Sequence, residues 1–241
     1  MSKEAMKQFG LALEAYHKGK KNVKIIYHRD DGERTEDFIK GYFRDYSDFS
    51  ERERIAMEMC EGKILDIGAG VGPHALELQN KGYNVLAIDI CEKACETMKK
   101  RGIKRVECKS PYEIEERNFD RIILLGCSIA FVENLDGLKK FLEYAKSIIK
   151  PEGLILMDSR DIRLTDNPKH IKYQKNNIES GRYRGEIRIQ IEFNGIKGEK
   201  FQILHIDPDT LSDITKSVNW SVKILLRENN GLYLAKLEKS P

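Results

Sequence analysis

Residues 63–73 read Lys-Ile-Leu-Asp-Ile-Gly-Ala-Gly-Val-Gly-Pro, and the reading of this stretch decides the fold. Lys63 to Ile67 is an apolar run of strand length, Gly68, Gly70 and Gly72 form a turn, and Pro73 stands where a helix would open. Glycines let the backbone take left-handed angles and let a ligand come close, while a helix start presents unpaired N–H groups. Asp89 lies at the tip of the next apolar run, where a carboxylate can grip a ribose diol. Strand, turn, helix and spaced acid together predict a nucleoside site.

Outward from this stretch, short apolar runs alternate with amphipathic segments, as in a parallel sheet with crossover helices. Strands are predicted at Lys63 to Ile67, Asn84 to Ile88, Arg105 to Cys108, Phe119 to Leu125 and Gly153 to Asp158. Helices are predicted at Pro73 to Lys81, Cys91 to Arg101 and Asp136 to Ile149, the last closed by a turn over 150–153. A final pair, Val222 to Arg227 and Tyr233 to Leu237, turns at Asn229-Asn230-Gly231 and brings the strands to seven. The expected class is therefore α/β, a doubly wound, mostly parallel sheet. Residues 1–60 read as an N-terminal cap containing a helix over Ala5 to Tyr16, a strand over Val23 to Tyr27, an aromatic stretch over Phe38 to Tyr46 and a helix over Ser50 to Cys60. Residues 61–241 form the catalytic domain, in which Glu186 to Phe193 and Phe201 to Ile206 alternate like strands of an antiparallel extension and a helix spans Asp209 to Val218. The polar segment 160–185 shows no clear periodicity and reads as an insertion facing the substrate.

Two cofactor classes share a strand–turn–helix of this kind. A dinucleotide fingerprint needs a third glycine or alanine three residues after the second, and Pro73 occupies that place. Asp66, at the turn entry, would repel a pyrophosphate but suits a ligand carrying an ammonium and a sulfonium. S-adenosylmethionine is such a ligand.

Residues Lys63 to Asp158 resemble a class I methyltransferase: LDIGAGVG is similar to its first motif, AIDI to its second, FDRIILL to its fourth-strand motif, and LKKFLEYAKSIIKPEGLILMD to its fifth helix and strand. The flanks, with Tyr42-Phe43-Arg44 and the stretch 193–201, resemble a subgroup of that family. The resemblance implies S-adenosyl-L-methionine as cofactor. It places Asp66, Gly68, Ala69, Gly70 and Gly72 at the methionine part, Asp89 and Ile90 at the ribose, Lys109 to Pro111 at the adenine, and Leu125 and Gly126 along the fourth-strand exit. Family members often carry Asp beside the adenine, whereas this chain has Ser110, a weaker acceptor.

Methyl transfer from a sulfonium is an in-line displacement, so alignment in a dry pocket supplies most of the catalysis and a base is optional. The candidates beside the reacting atoms are Tyr42 and Arg44 of the cap, and Asp158 and Arg160, with Asp161, after the fifth strand. Arg44 is expected to pair with the cofactor carboxylate or the acceptor, with Tyr42 or Phe43 walling the pocket; the alternative is packing of the cap with Arg44 on the surface. His74 reads as a surface residue of its helix. The Asn- or Asp-Pro-Pro-aromatic motif of amino-directed nucleic-acid enzymes is absent after the fourth strand, where the chain has Gly126-Cys127-Ser128-Ile129, so the acceptor can be nitrogen or oxygen.

Charge placement is the remaining clue to the acceptor. Residues 163–188 hold seven Lys or Arg against three acids, a net +4, which leaves about −1 for the rest of a chain whose total is +3. With Tyr173 and Tyr183 interleaved, and Lys18, Lys20, Lys21 and Lys24 as an extension, this segment leans toward structured RNA, such as a ribosomal RNA base; the alternative is a small-molecule acceptor. Five cysteines without CxxC spacing read as free thiols, and no ligand set suggests a metal. No apolar run is long enough to span a bilayer and no signal core opens the chain, so a cytoplasmic location is expected.

Overall fold

A computed structural model describes residues 1–240. The chain runs α1 (Lys7–His17), β1 (Lys24–Arg29), β2 (Arg34–Phe38), α2 (Glu51–Glu58), β3 (Lys63–Ile67), α3 (Pro73–Asn80), β4 (Asn84–Ile88), α4 (Glu92–Lys100) and β5 (Val106–Glu107). It continues through β6 (Phe119–Leu124), α5 (Leu135–Ile148), β7 (Ile149–Arg160), α6 (Pro168–Glu179), β8 (Glu186–Phe193), β9 (Ile196–Leu204), α7 (Pro208–Ser217), β10 (Trp220–Arg227) and β11 (Leu232–Lys239).

The main sheet has seven strands in the order β10-β11-β7-β6-β3-β4-β5, parallel except for β11, which runs against both neighbours. Its central strands are apolar on both faces because helices cover both. Along β7, Leu154 and Leu156 face the layer holding Ala56 of α2, Ala75 and Leu78 of α3 and Met98 of α4, while Ile155 and Met157 face Phe141 and Leu142 of α5 and Leu211 of α7. The order reverses between β3, which continues to β4, and β6 beside it, so the glycine turn opens at the switch point where ligands of such sheets bind. The turn predicted over 150–153 survives as an irregularity inside β7: Ile149 pairs with Phe119, and pairing resumes at Leu154 opposite Arg121.

The second sheet was not foreseen as one unit. Strands β8 and β9 do not extend the main sheet; they join β1 and β2 in the order β2-β1-β8-β9, all antiparallel. The cap is thus built from two distant parts of the chain. Alternate residues of a strand share a face. On one face Ile25 and Ile191 meet Phe9 and Leu13 of α1, which itself packs on α4, so the sheet is held over the carboxyl ends of the main strands. A helix, α6, occupies the segment expected to be irregular: Asn167 caps it, Pro168 opens it, and Tyr173 and Asn177 are its buried residues.

Candidate functional site

A cavity of about 1130 Å³ lies between the carboxyl edge of the main sheet and the second sheet. Its floor is the glycine turn. Gly68 and Ala69 donate to the Ile88 carbonyl, both at 3.0 Å, which ties the turn to the end of β4. Gly72 has φ +74°, and a Cβ there would fall 2.1 Å from Ile103 Cδ1, so this glycine permits the close packing of α3 on its neighbours. Gly70 has φ +59° and open space where a Cβ would stand, and a glycine of that kind leaves room for a ligand against the backbone.

Asp89 is buried and accepts from Gly70 N at 2.9 Å and from Cys91 N at 2.8 Å. Both oxygens keep a free lone pair. Burial pushes its carboxyl up to about 6, opposed by those backbone hydrogen bonds. Asp66 is likewise raised to about 6, chiefly by burial, and its Oδ2 has no hydrogen-bond partner. Open backbone at Gly70 and the two free lone pairs of Asp89 fit S-adenosylmethionine.

Gly68, Ala69, Gly70, Asp89, Ile90, Lys109, Ser110, Leu125 and Gly126 all line the cavity, as do Tyr42, Arg44 and Arg160. Asp66 and Gly72 do not reach its surface: Asp66 is 2% exposed and turned toward α3, and Gly72 begins that helix. Asp158 is also displaced from the expected position beside the reacting atoms. It is fully buried, accepts from Gly126 N at 3.2 Å and Cys127 N at 2.6 Å, and receives Arg52 Nε at 3.0 Å, so it shapes the loop after β6 from beneath. Ser110 is occupied as a cap, its hydroxyl accepting from Tyr112 N.

Arg44 is held by an internal partner. Its guanidinium forks onto Glu53 at 2.8 and 2.6 Å, and the same carboxylate accepts from Ser50 N and binds His74 Nε2 at 2.8 Å. Glu53 is 2% exposed, and although burial opposes its charge, His74 and Arg44 hold its carboxyl well below the usual range. His74, expected on a helix surface, is buried against Phe49. Glu53 clamps the cap to α3, while Arg52 of the same helix binds Asp158 and Glu228.

Several cavity residues escaped the sequence reading. The Tyr42 hydroxyl donates to Asp37 Oδ2 at 2.7 Å and lies 3.2 Å from the Tyr27 hydroxyl, so two phenols and a carboxylate form a chain in the wall. Burial raises both phenols, Tyr27 to about 12. From β8 and β9 come Ile187, Ile189, Phe201, Ile203 and, just beyond β9, His205. Their alternation was visible in the sequence, but which face met the cleft was not.

Four of the seven basic residues of the segment 163–188 are paired with acids. Arg163 binds Asp161 at 2.7 Å and Asp209 at 2.6 Å, Lys169 binds Glu33 at 2.7 Å, Lys175 binds Glu179, and Arg188 approaches Asp30 at 3.8 Å. The proposed extension is interrupted too, Lys18 pairing with Glu14 and Lys24 with Glu36. Among the described residues no group of three or more His, Cys, Asp or Glu is placed to hold a metal ion, and no helix is long and apolar enough to cross a membrane.

Residues 64–153 match a family described as a methyltransferase domain. A solved structure, a SAM-dependent methyltransferase from Bacteroides fragilis in complex with S-adenosyl-L-homocysteine, is similar over 99% of this chain and 97% of its own, with 29% identity and a TM-score of 0.85. Curated relatives include a ubiquinone biosynthesis O-methyltransferase of Rickettsia conorii, 28% identical over 46% of this chain and 39% of its own length, and a glycine/sarcosine N-methyltransferase of Halorhodospira halochloris, 28% identical over 55% and 57%. The chain spans only about 39 to 57% of the length of these curated relatives. Fold, glycine turn and these similarities together identify residues 64–153 as a methyltransferase domain of the class I, Rossmann-like kind, whose cofactor is S-adenosyl-L-methionine.

Proposed function

We propose that the chain transfers the methyl group of S-adenosylmethionine to a nucleophilic oxygen or nitrogen of a small molecule. The observation that carries this reading is the roofed cavity of about 1130 Å³, which runs from the glycine turn to the apolar face of β8 and β9. Small-molecule sites are mostly apolar clefts of roughly 300–1,000 Å³, so this one has room for a nucleoside and a modest acceptor. The relatives named for ubiquinone biosynthesis and for glycine and sarcosine support the same direction, as does the pairing of four of the seven basic residues, which weakens the argument for RNA.

When bound, S-adenosylmethionine supplies a methyl group on a positively charged sulfur that leaves as a neutral thioether. The glycine turn and Asp89 hold the nucleoside, and Ile187, Ile189 and Phe201 exclude water from the acceptor side. The acceptor must lose one proton as the new bond forms. Tyr27 Oη takes it while passing its own to Tyr42 Oη, and Tyr42 passes its proton to Asp37 Oδ2, along the two hydrogen bonds already in place. Arg44 and Glu53 position the cap that carries this chain.

Incubation with labelled S-adenosylmethionine and, separately, a small-metabolite extract or total RNA tests the proposal. Label is expected in the metabolite fraction, unaffected by 0.05 to 0.5 M salt (an order-of-magnitude range) and reduced by Tyr42→Phe. Label appearing in RNA alone, and suppressed by salt, would reverse the assignment.

A further inference from the structure

At the β7 end of the cavity, on the opposite side of the switch point from Asp89, stand two guanidiniums and an imidazole. Arg160 ends β7, and Arg184 precedes Gly185, whose carbonyl accepts from His205 N at 2.9 Å. Ser159 Oγ accepts from Ile206 N at 3.2 Å, which sets the backbone of Arg160 beside that of His205. Arg160, Arg184 and His205 all line the cavity.

The acids of this corner are already engaged. Arg163 takes Asp161 through Nε at 2.8 Å and Nη2 at 2.7 Å, and Asp207 is held by Arg163 at 3.2 Å and by the Tyr183 hydroxyl at 2.6 Å. Arg160 makes one hydrogen bond, to the Asn230 carbonyl at 2.9 Å, and among the described residues neither Arg160 nor Arg184 meets a carboxylate. His205 Nδ1 is shielded from solvent and has no partner. Two guanidiniums without a counter-charge therefore line one cavity, and the His205 ring lines it as well, its Nδ1 turned away from solvent. One step along the same sheet face stand the cross-strand pairs Ile187–Ile203 and Ile189–Phe201.

We propose that this corner is an anion subsite and that the acceptor molecule carries, besides the oxygen or nitrogen that is methylated, a carboxylate and an apolar body, the carboxylate held by Arg160 and Arg184 beside His205 and the body laid on the Ile187–Ile203 and Ile189–Phe201 pairs. Guanidiniums match a carboxylate through parallel N–H donors. The inference rests on the small-molecule reading above and adds the acceptor's charge.

The test is calorimetry on the full chain saturated with S-adenosylhomocysteine, titrated with matched acid and amide pairs of rising apolar size: acetate and acetamide, isobutyrate and isobutyramide, benzoate and benzamide, 3-phenylpropionate and its amide. The expected result is that at least one acid binds at least about tenfold tighter than its amide, and that Arg160→Ala and Arg184→Ala each remove most of that preference. Affinity for S-adenosylhomocysteine stays within about twofold in both variants, which also reports that they are folded; Arg160→Gln serves if the alanine variant is not. Acids and amides binding alike, no acid binding at all, or an undiminished preference in both arginine variants overturns the subsite while leaving the cofactor assignment intact. Absence of S-adenosylhomocysteine binding in the wild-type chain overturns the proposed function and the subsite with it.

Discussion

Replacing Asp89 with asparagine separates the stability of the fold from the affinity of the site, and the two should respond differently. Asp89 is buried, and its carboxyl rises from an ordinary 3.8 to about 6, so its charge costs the folded chain ~3 kcal/mol near neutral pH. Because the folded value lies above the unfolded one, the folded chain takes up the proton first on acidification. This group's contribution is most favourable below pH 3.8 and is lost as pH rises through 6. An asparagine side chain would carry no charge and avoid that cost. Its amide nitrogen, however, would confront Gly70 N or Cys91 N, leaving one donor unpaired at about 1–3 kcal/mol. The two effects nearly cancel, and thermal unfolding at pH 7 should differ from wild type by only a few degrees, by rough conversion. Below pH 5 the wild-type charge is gone, and the variant should compare less well there than at neutral pH.

Affinity should behave otherwise. A carboxylate can accept from ribose hydroxyls through its two free lone pairs, and a charge-assisted hydrogen bond contributes about 1.5–3 kcal/mol, so losing one such bond weakens S-adenosylhomocysteine binding about 10- to 150-fold. Wild-type affinity should fall about tenfold for each pH unit below 6 as Asp89 is neutralised. Asp66 titrates in the same window, so the informative quantity is the difference between the two proteins. Calorimetry from pH 5 to 8 measures it, in order-of-magnitude steps of affinity. An Asp89→Asn variant that keeps wild-type affinity across that range would refute the role of the carboxylate.

Other substitutions probe neighbouring parts of the site. Gly70→Ala should cost about 1–2 kcal/mol for its left-handed backbone and abolish S-adenosylhomocysteine binding, whereas Gly72→Ala should destabilise the fold further because its Cβ meets Ile103; urea midpoints and calorimetry on both variants distinguish them. Glu53→Gln removes the charge shared by Arg44 and His74 and should lower stability by about 3–5 kcal/mol, and a urea midpoint shifted by less than a third of that would show that the clamp contributes little. Trp220→Ala should cost about 3–5 kcal/mol, since Trp220 is fully buried and donates to the Leu142 carbonyl at 3.1 Å; an unchanged melting temperature would count against that packing role.

The parallel strands were legible because a strand buried on both faces must be apolar throughout: β3 and β4 fall at their predicted limits, Lys63–Ile67 and Asn84–Ile88. Helix α6 was illegible because its contact stripe is narrow. It buries Tyr173 and Asn177 but leaves Ile171 50% and Ile178 51% exposed, so apolar residues do not mark its inner face. Only the cap signals Asn167 and Pro168 announced it. The basic segment misled for a different reason: a count of charges along the chain does not show that Glu33 lies beside Lys169 or Asp209 beside Arg163.

Local order was enough for the cofactor end of the molecule. A strand, its glycines, a helix start and an acid are all placed by steric and hydrogen-bonding rules acting over some thirty residues or fewer, and so the sequence by itself determined the local frame of the proposed nucleoside site. The acceptor end was decided by tertiary structure alone. Ile26 pairs with Glu192, Tyr27 lies opposite Ile191 where β8 joins the second sheet, and Arg160 comes beside His205 only where Ser159 Oγ accepts from Ile206 N. Pairings between distant segments depend on which of many apolar and charged surfaces become neighbours, and that choice belongs to the folded chain as a whole.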